Sequence, residues 1–226
     1  MKRILTIILA SFLAFTALAQ SEREPLYSSA DGSVTFNLLS RFGYGYHIVK
    51  TEAFEPASSG ETFLNVFQIG LYPSENLGFE LGADLAYNYF RAKDQMFTLD
   101  DNRIVQVTGI PTIEGGVQRF RSNLGSFSAN FPLLVKGLFG KFQVGAGAEG
   151  RLNFAGSTSY SFRQDNLYAS VEERKAKLNL FNYDFLGVIS YDDMGIYFKY
   201  YPKGSRFLPD GSVDFSWMTV GIVFQM

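Results

Sequence analysis

The sequence predicts an all-β chain: an eight-stranded antiparallel up-and-down transmembrane β-barrel of a bacterial outer membrane. Three observations carry the prediction. An export-type segment opens the chain, a period-two hydropathy pattern recurs through the rest, and the connections between apolar-patterned segments alternate between long and short.

Lys2 and Arg3 form a short cationic start, Ile4 to Leu18 is a nearly continuous apolar run, and Ala17-Leu18-Ala19 supplies a small-x-small cleavage site. That order predicts a signal peptide over residues 1–19. The run is shorter than the ~20 residues of a spanning helix, and no stop-transfer charges follow it directly. Residues 20–32 are polar with turn formers and read as a short periplasmic leader. Residues 33–226 then make up the barrel domain. The chain has no cysteine, which removes disulfides, thiolate metal sites and lipid attachment through a cysteine. With 20 basic against 22 acidic residues there is no positive surplus to neutralise phosphates, so nucleic acid is not an expected partner.

Strands are predicted near 33–48, 62–72, 79–90, 121–136, 142–154, 177–190, 195–202 and 212–226. In the first, Val34, Phe36, Leu38, Ser40, Phe42, Tyr44, Tyr46 and Ile48 share one parity, opposite Thr35, Asn37, Leu39, Arg41, Gly43, Gly45 and His47. In the third, Phe79, Leu81, Ala83, Leu85, Tyr87 and Tyr89 oppose Glu80, Gly82, Asp84, Ala86 and Asn88. The fifth sets Phe142, Val144, Ala146, Ala148, Leu152 and Phe154 against Gln143, Gly145, Gly147, Glu149, Arg151 and Asn153. The second splits poorly, with Asn65 among its outward residues and Leu64 and Val66 inward; ten strands is the alternative count.

Soluble sandwiches alternate too, and the connections discriminate better. They run long at Val49 to Glu61, Arg91 to Phe120 and Ala155 to Ala176, and short at Pro73 to Gly78, Gly137 to Lys141 and Tyr191 to Met194; Lys203 to Gly211 is intermediate. Outer-membrane barrels show this asymmetry of short periplasmic turns and long outer loops, and an even strand count leaves both ends periplasmic. Outward Tyr44, Tyr46, Tyr87, Tyr89 and Tyr200 gather toward the predicted outer ends, as an aromatic girdle does at headgroup level. By parity the interior holds Arg41, Lys136, Arg151 and Lys199, with His47, against Glu80, Asp84, Glu149 and Asp184. Eight strands enclose only enough space for side chains, so these four firm cations and four anions are expected to pair and fill it. Inward Gly43, Gly45, Gly145 and Gly147 leave room for the long stems.

Nothing in the pattern assembles a catalytic, metal or cofactor site. His47 is the sole histidine and sits inward near the outer mouth, where it could serve as base to a serine. Outer-membrane deacylases with a histidine and a serine two residues apart are not matched, because Val49 occupies that place. Asp100-Asp101 and Asp192-Asp193 read as solvated acidic turns without calcium-loop spacing. Gly145-x-Gly147-x-x-Gly150 precedes no helix that could hold a phosphate. The expected function is that of a non-enzymatic structural or interaction barrel. It would be embedded in outer-membrane lipid, with its outer loops, chiefly Arg91 to Phe120 and Ala155 to Ala176, contacting an envelope or extracellular protein partner. The alternatives are a small envelope hydrolase acting near His47 and a narrow channel, although a selective channel normally shows a surplus of one sign.

The run Asn130-Phe131-Pro132-Leu133-Leu134-Val135-Lys136, a glycine-bearing turn, then Phe142-Gln143-Val144-Gly145-Ala146-Gly147-Ala148, resembles the signature of the PorT-type outer-membrane β-barrel proteins of Bacteroidetes. Tyr183-Asp184-Phe185-Leu186-Gly187 and Tyr197-Phe198-Lys199-Tyr200 are similar to that family's last two hairpins. The chain departs from the pattern after Tyr200 and in ending Phe224-Gln225-Met226. The resemblance implies an outer-membrane barrel of largely uncharacterised role, in a family with one branch linked to protein secretion.

Overall fold

The computed structural model describes residues 27–29, 32–53, 55–56, 58–110, 119–164, 167–202 and 204–225. The expected signal peptide, 1–19, and most of the expected leader lie outside them. Among the described residues there is no helix, and the strands are β1 (Tyr27–Ser29), β2 (Gly32–Leu38), β3 (Arg41–Lys50), β4 (Glu55–Pro56), β5 (Ser59–Ser74), β6 (Leu77–Lys93), β7 (Gln95–Leu99), β8 (Val105–Gly109), β9 (Arg119–Phe139), β10 (Phe142–Gln164), β11 (Leu167–Arg174), β12 (Phe181–Tyr191), β13 (Met194–Tyr200) and β14 (Ser216–Gln225). Eight of them pair antiparallel around a ring: β3, β5, β6, β9, β10, β12, β13, β14 and back to β3. The ring's seam joins Arg41 to Gln225 and Lys50 to Ser216.

Three connections of the ring are two-residue turns at one end, Glu75–Asn76, Gly140–Lys141 and Asp192–Asp193. Gly140 (φ 62°) and Asp192 (φ 54°) open their turns in the left-handed region, which glycine and, less freely, aspartate adopt. The turns are tied sideways: Leu138 N donates to Asn76 O (3.0 Å), Asp192 N to Lys141 O (2.9 Å) and Gln225 N to Asp193 O (2.7 Å). All longer connections emerge at the opposite end, called the loop end below.

The structure corrects the expected elements in four places. The first strand is broken: Leu39 (φ 51°) turns the chain between β2 and β3. Tyr27–Ser29, expected in the leader, folds back as β1 onto Gly32, Ser33 and Val34. The sixth and eighth expected strands begin later, at Phe181 and Ser216. Finally, the long connections Arg91 to Phe120 and Ala155 to Ala176 are largely strand. β6 runs on to Lys93, β7 and β8 form a hairpin, and β9, β10 and β11 continue as a three-stranded extension beyond the ring.

The second expected strand has a cause for its poor split. A bulge lies between Asn65 and Phe67 where β5 pairs with β6, and one extra residue moves every later side chain to the other face. Glu61, Phe63 and Asn65 point inward before it, Gln68 and Gly70 after it, while Val66 is exposed. The expectation of Asn65 outward with Leu64 and Val66 inward is therefore reversed: Asn65 is fully buried.

Burial is distributed inside out. The outward faces carry Tyr44, Phe79, Leu81, Leu85, Phe127, Leu133, Val144, Phe185, Ile196 and Ile222, all exposed, whereas the inward faces carry buried arginine, lysine, carboxylates and amides. Close backbone approach makes one inward glycine necessary. A Cβ on Gly147 would lie 2.9 Å from the Leu133 carbonyl carbon of the neighbouring strand, and backbone cannot yield as a flexible side chain does. Gly147→Ala is expected to cost about 1–3 kcal/mol by overpacking, seen as a lower urea midpoint.

Candidate functional site

The interior is organised in three tiers, and the eight charged residues expected inward from parity lie in the first two. Nearest the turns, Lys136 Nζ meets Glu80 Oε2 at 2.7 Å and Tyr72 OH donates to Glu80 Oε1 at 2.8 Å. Beside this pair, Arg41 Nη2 reaches Asp84 Oδ2 at 3.1 Å, and Asn65 Nδ2 donates to Asp84 Oδ1 at 2.6 Å. Ser40 Oγ in turn donates to Asn65 Oδ1 at 2.8 Å. Asn65 thus holds Asp84 facing Arg41, which its inward turn before the bulge makes possible.

The middle tier is a five-membered charge cluster. Arg151 Nη2 lies 3.3 Å from Asp184, 3.4 Å from Glu149 and 3.8 Å from Glu61, while Lys199 Nζ lies 3.0 Å from Glu149 and 3.2 Å from Glu61. Tyr201 OH accepts from Arg151 and its ring lies under the guanidinium, 4.8 Å from centroid to Cζ. Turned with its nitrogen toward Glu61, the Asn88 amide would bridge the cluster, donating to Glu61 Oε2 and accepting from Arg151 Nη1, both at 3.3 Å. Lys199 also stands over the Phe63 ring at 5.0 Å. Glu61 lies outside the expected set, because the expected second strand begins at Thr62 whereas β5 begins at Ser59. Its addition corrects the expected equality of charge: five carboxylates face four firm cations among the described residues. Between the two charged tiers a cavity of about 30 Å³ touches Arg41, Asp84, Glu149 and Tyr197, room for a water or two.

The third tier is apolar, and parity alone did not reveal it. At the loop end Phe90, Ala92, Phe97, Val105, Leu124, Tyr201, Phe207, Leu208 and Trp217 form one buried cluster. Trp217 stacks on Tyr201 (4.0 Å, 28°), and Phe90 meets Trp217 edge-on at 4.8 Å and Phe215 at 4.9 Å. Edge-to-face and offset rings at these spacings add to plain burial. The connection from Tyr201 to Phe215 is anchored over the interior on three sides. Val213 N donates to Val105 O (3.0 Å), Asn179 Nδ2 to Leu208 O (2.9 Å) and Thr51 Oγ1 to Asp214 O (2.8 Å). A signal for this cap was present in Phe90 and Trp217, aromatic residues of inward parity at strand ends.

His47 sits beneath the cap, 1% exposed. Its ring stacks on Phe90 (5.0 Å, 15°), and Nδ1 lies 2.8 Å from Thr219 Oγ1, itself fully buried. No carboxylate hydrogen-bonds the imidazole among the described residues, so no base–carboxylate pair is built on it here. The tyrosines expected as a girdle all face outward: Tyr44, Tyr46, Tyr87 and Tyr200 are exposed and Tyr89 is half-buried, with Tyr44 OH and Tyr89 OH 3.3 Å apart. Of the acidic pairs, Asp192 takes an ion pair from Lys141 across two turns (2.7 Å). Asp100 Oδ1 accepts from Asn102 N and Ile104 N (2.9 and 2.8 Å), closing its own hairpin. No protein-family model and no curated protein matches the chain.

Proposed function

We propose that the ring is a membrane-spanning β-barrel of a bacterial outer membrane, delivered by the export segment 1–19. Its interior serves as a structural network, and its contacts with an envelope or extracellular protein are made at the loop end. The observation that carries this reading is the inside-out distribution of side chains. On β9 the outward residues from Phe139 to Phe127 are apolar, and on β10 those from Phe142 to Phe154. Twelve residue steps at the usual strand rise and a tilt near 40° cover roughly 30 Å, the thickness of a hydrocarbon core.

The upper limit of the band is marked in composition. After the irregularity between Asn153 and Ala155 the outward residues of β10 become Ser157, Ser159 and Ser161, as expected for strands leaving lipid. A closed ring suits lipid because no backbone edge is left unpaired there. Among the described residues, only a cavity of about 30 Å³ is left between the charged tiers, which favours a non-conducting, non-enzymatic barrel. The PorT-type resemblance supports the same assignment.

The test is gel migration of membrane-fraction protein with and without boiling, followed by planar-bilayer recording of the same preparation. The expected result is a heat-modifiable band without single-channel steps. A soluble product whose migration is insensitive to boiling would overturn the membrane reading, and regular conductance steps would overturn the filled interior.

A further inference from the structure

Beyond the apolar band, the outward face shared by β6, β9 and β10 changes abruptly to arginine and hydroxyl groups. The first outward residue of β6 after Tyr89 is Arg91, which stands opposite Asn123 of β9; Asn123 stands opposite Ser159 of β10. One step further out, Arg121 pairs in register with Ser161, and the next step sets Arg119 directly opposite Arg163. Directly opposed residues on paired strands lie ~5 Å apart and diagonal ones ~7–8 Å, so Arg91 and Arg121 share one patch with Asn123, Ser159 and Ser161. Arg121 is exposed, and Arg91 Nε donates to Asn123 Oδ1 at 3.0 Å, which ties the Arg91 side chain to the patch. Immediately below, Tyr87 and Phe127 hold their rings 4.7 Å apart.

We propose that this patch binds the phosphorylated headgroup of a glycolipid in the outer leaflet, an inference that rests on the membrane reading above. Two features favour such a ligand. Planar guanidinium forks match phosphate oxygens in pairs, and Ser159 and Ser161 supply further donors beside them. Arg91 and Arg121 also rise over about 10 Å above Tyr89 at strand pitch and tilt, deeper than the ~5–8 Å polar layer of an ordinary phospholipid leaflet. A headgroup with phosphates at more than one height fits that depth.

The experiment folds the full chain into phosphatidylcholine vesicles containing bisphosphorylated lipid A, its dephosphorylated form, or phosphatidylglycerol, and measures retained lipid by native mass spectrometry after extraction. Wild type is expected to retain the bisphosphorylated form selectively, and the Arg91→Gln/Arg121→Gln variant to retain it roughly thirtyfold less, since each basic residue near an anionic surface carries most of a tenfold. Inorganic phosphate at equal concentration is expected not to displace the lipid. Should the double variant fail to fold, Arg121→Gln alone gives the same reading, because the residue is exposed. Equal retention by wild type and variant, retention of the dephosphorylated lipid to the same extent, or displacement by free phosphate overturns the proposal. A chain that inserts but retains no glycolipid refutes this site alone, whereas a chain that does not enter vesicles at all refutes the membrane reading as well.

Discussion

Arg151→Met is expected to lower the unfolding free energy by about 3–5 kcal/mol, because it breaks a buried ion network by removing one partner. The guanidinium touches three carboxylates, Glu61, Glu149 and Asp184, and its side chain is fully buried. Its removal leaves those three carboxylates to Lys199, which reaches only Glu61 and Glu149, so Asp184 loses its cation. The packing of methionine recovers some van der Waals contact but no charge. Trp217 is the sole tryptophan and lies next to Tyr201 above the cluster, so its fluorescence reports urea unfolding from one known place. Adding Asp184→Asn to the variant is expected to restore part of the loss, since it removes the charge left unpaired. An Arg151→Met midpoint equal to wild type would mean that the cluster contributes nothing to the fold.

Phe90→Ala is the second large effect, with an expected loss of about 3–5 kcal/mol for deleting a buried ring. Phe90 contacts His47, Phe207, Phe215 and Trp217, so its removal loosens the cap at its centre and uncovers one face of the imidazole. The chain's single histidine makes the second measurement unambiguous. Diethyl pyrocarbonate is expected to modify folded wild type slowly and the variant quickly. Equal rates in the two would show that the cap does not seal the interior.

The alternation of residues 79–90 and 142–154 made those strands legible, and the same parity placed Arg41, Glu80, Asp84, Lys136, Glu149, Arg151, Asp184 and Lys199 on the inner side. What stayed hidden has physical reasons. Asn65 is obscured by a bulge, since a period-two pattern carries no mark of an inserted residue other than its own breakdown, and Glu61 falls within the expected connection Val49 to Glu61. The stretch of β10 beyond the band reads as a loop because both of its faces are polar, as at Ser157, Thr158 and Ser159, and the contrast that reveals a half-buried strand is absent there; β7 and β8 are only five residues each, too short for their alternation to stand out. The cap draws on Phe90, Phe97, Val105, Phe207 and Trp217, which lie far apart in sequence and meet only through the closing of the ring.

That closing sets the order of assembly. The hairpin of β9 and β10 joins strands separated by two residues, so its contacts are local in sequence, as are those of the hairpins at the other two short turns. The seam between β3 and β14 instead unites segments at opposite ends of the described chain, Arg41 to Lys50 with Ser216 to Gln225. Contacts of such long sequence separation carry the greatest loop-closure entropy and form slowly. Until they form, β3 and β14 each offer a free backbone edge, so the nascent chain is exposed to strand pairing with other molecules for as long as the slowest step lasts. The seam is therefore where a folding helper acting on strand edges would gain most, and where a competing strand would do most harm.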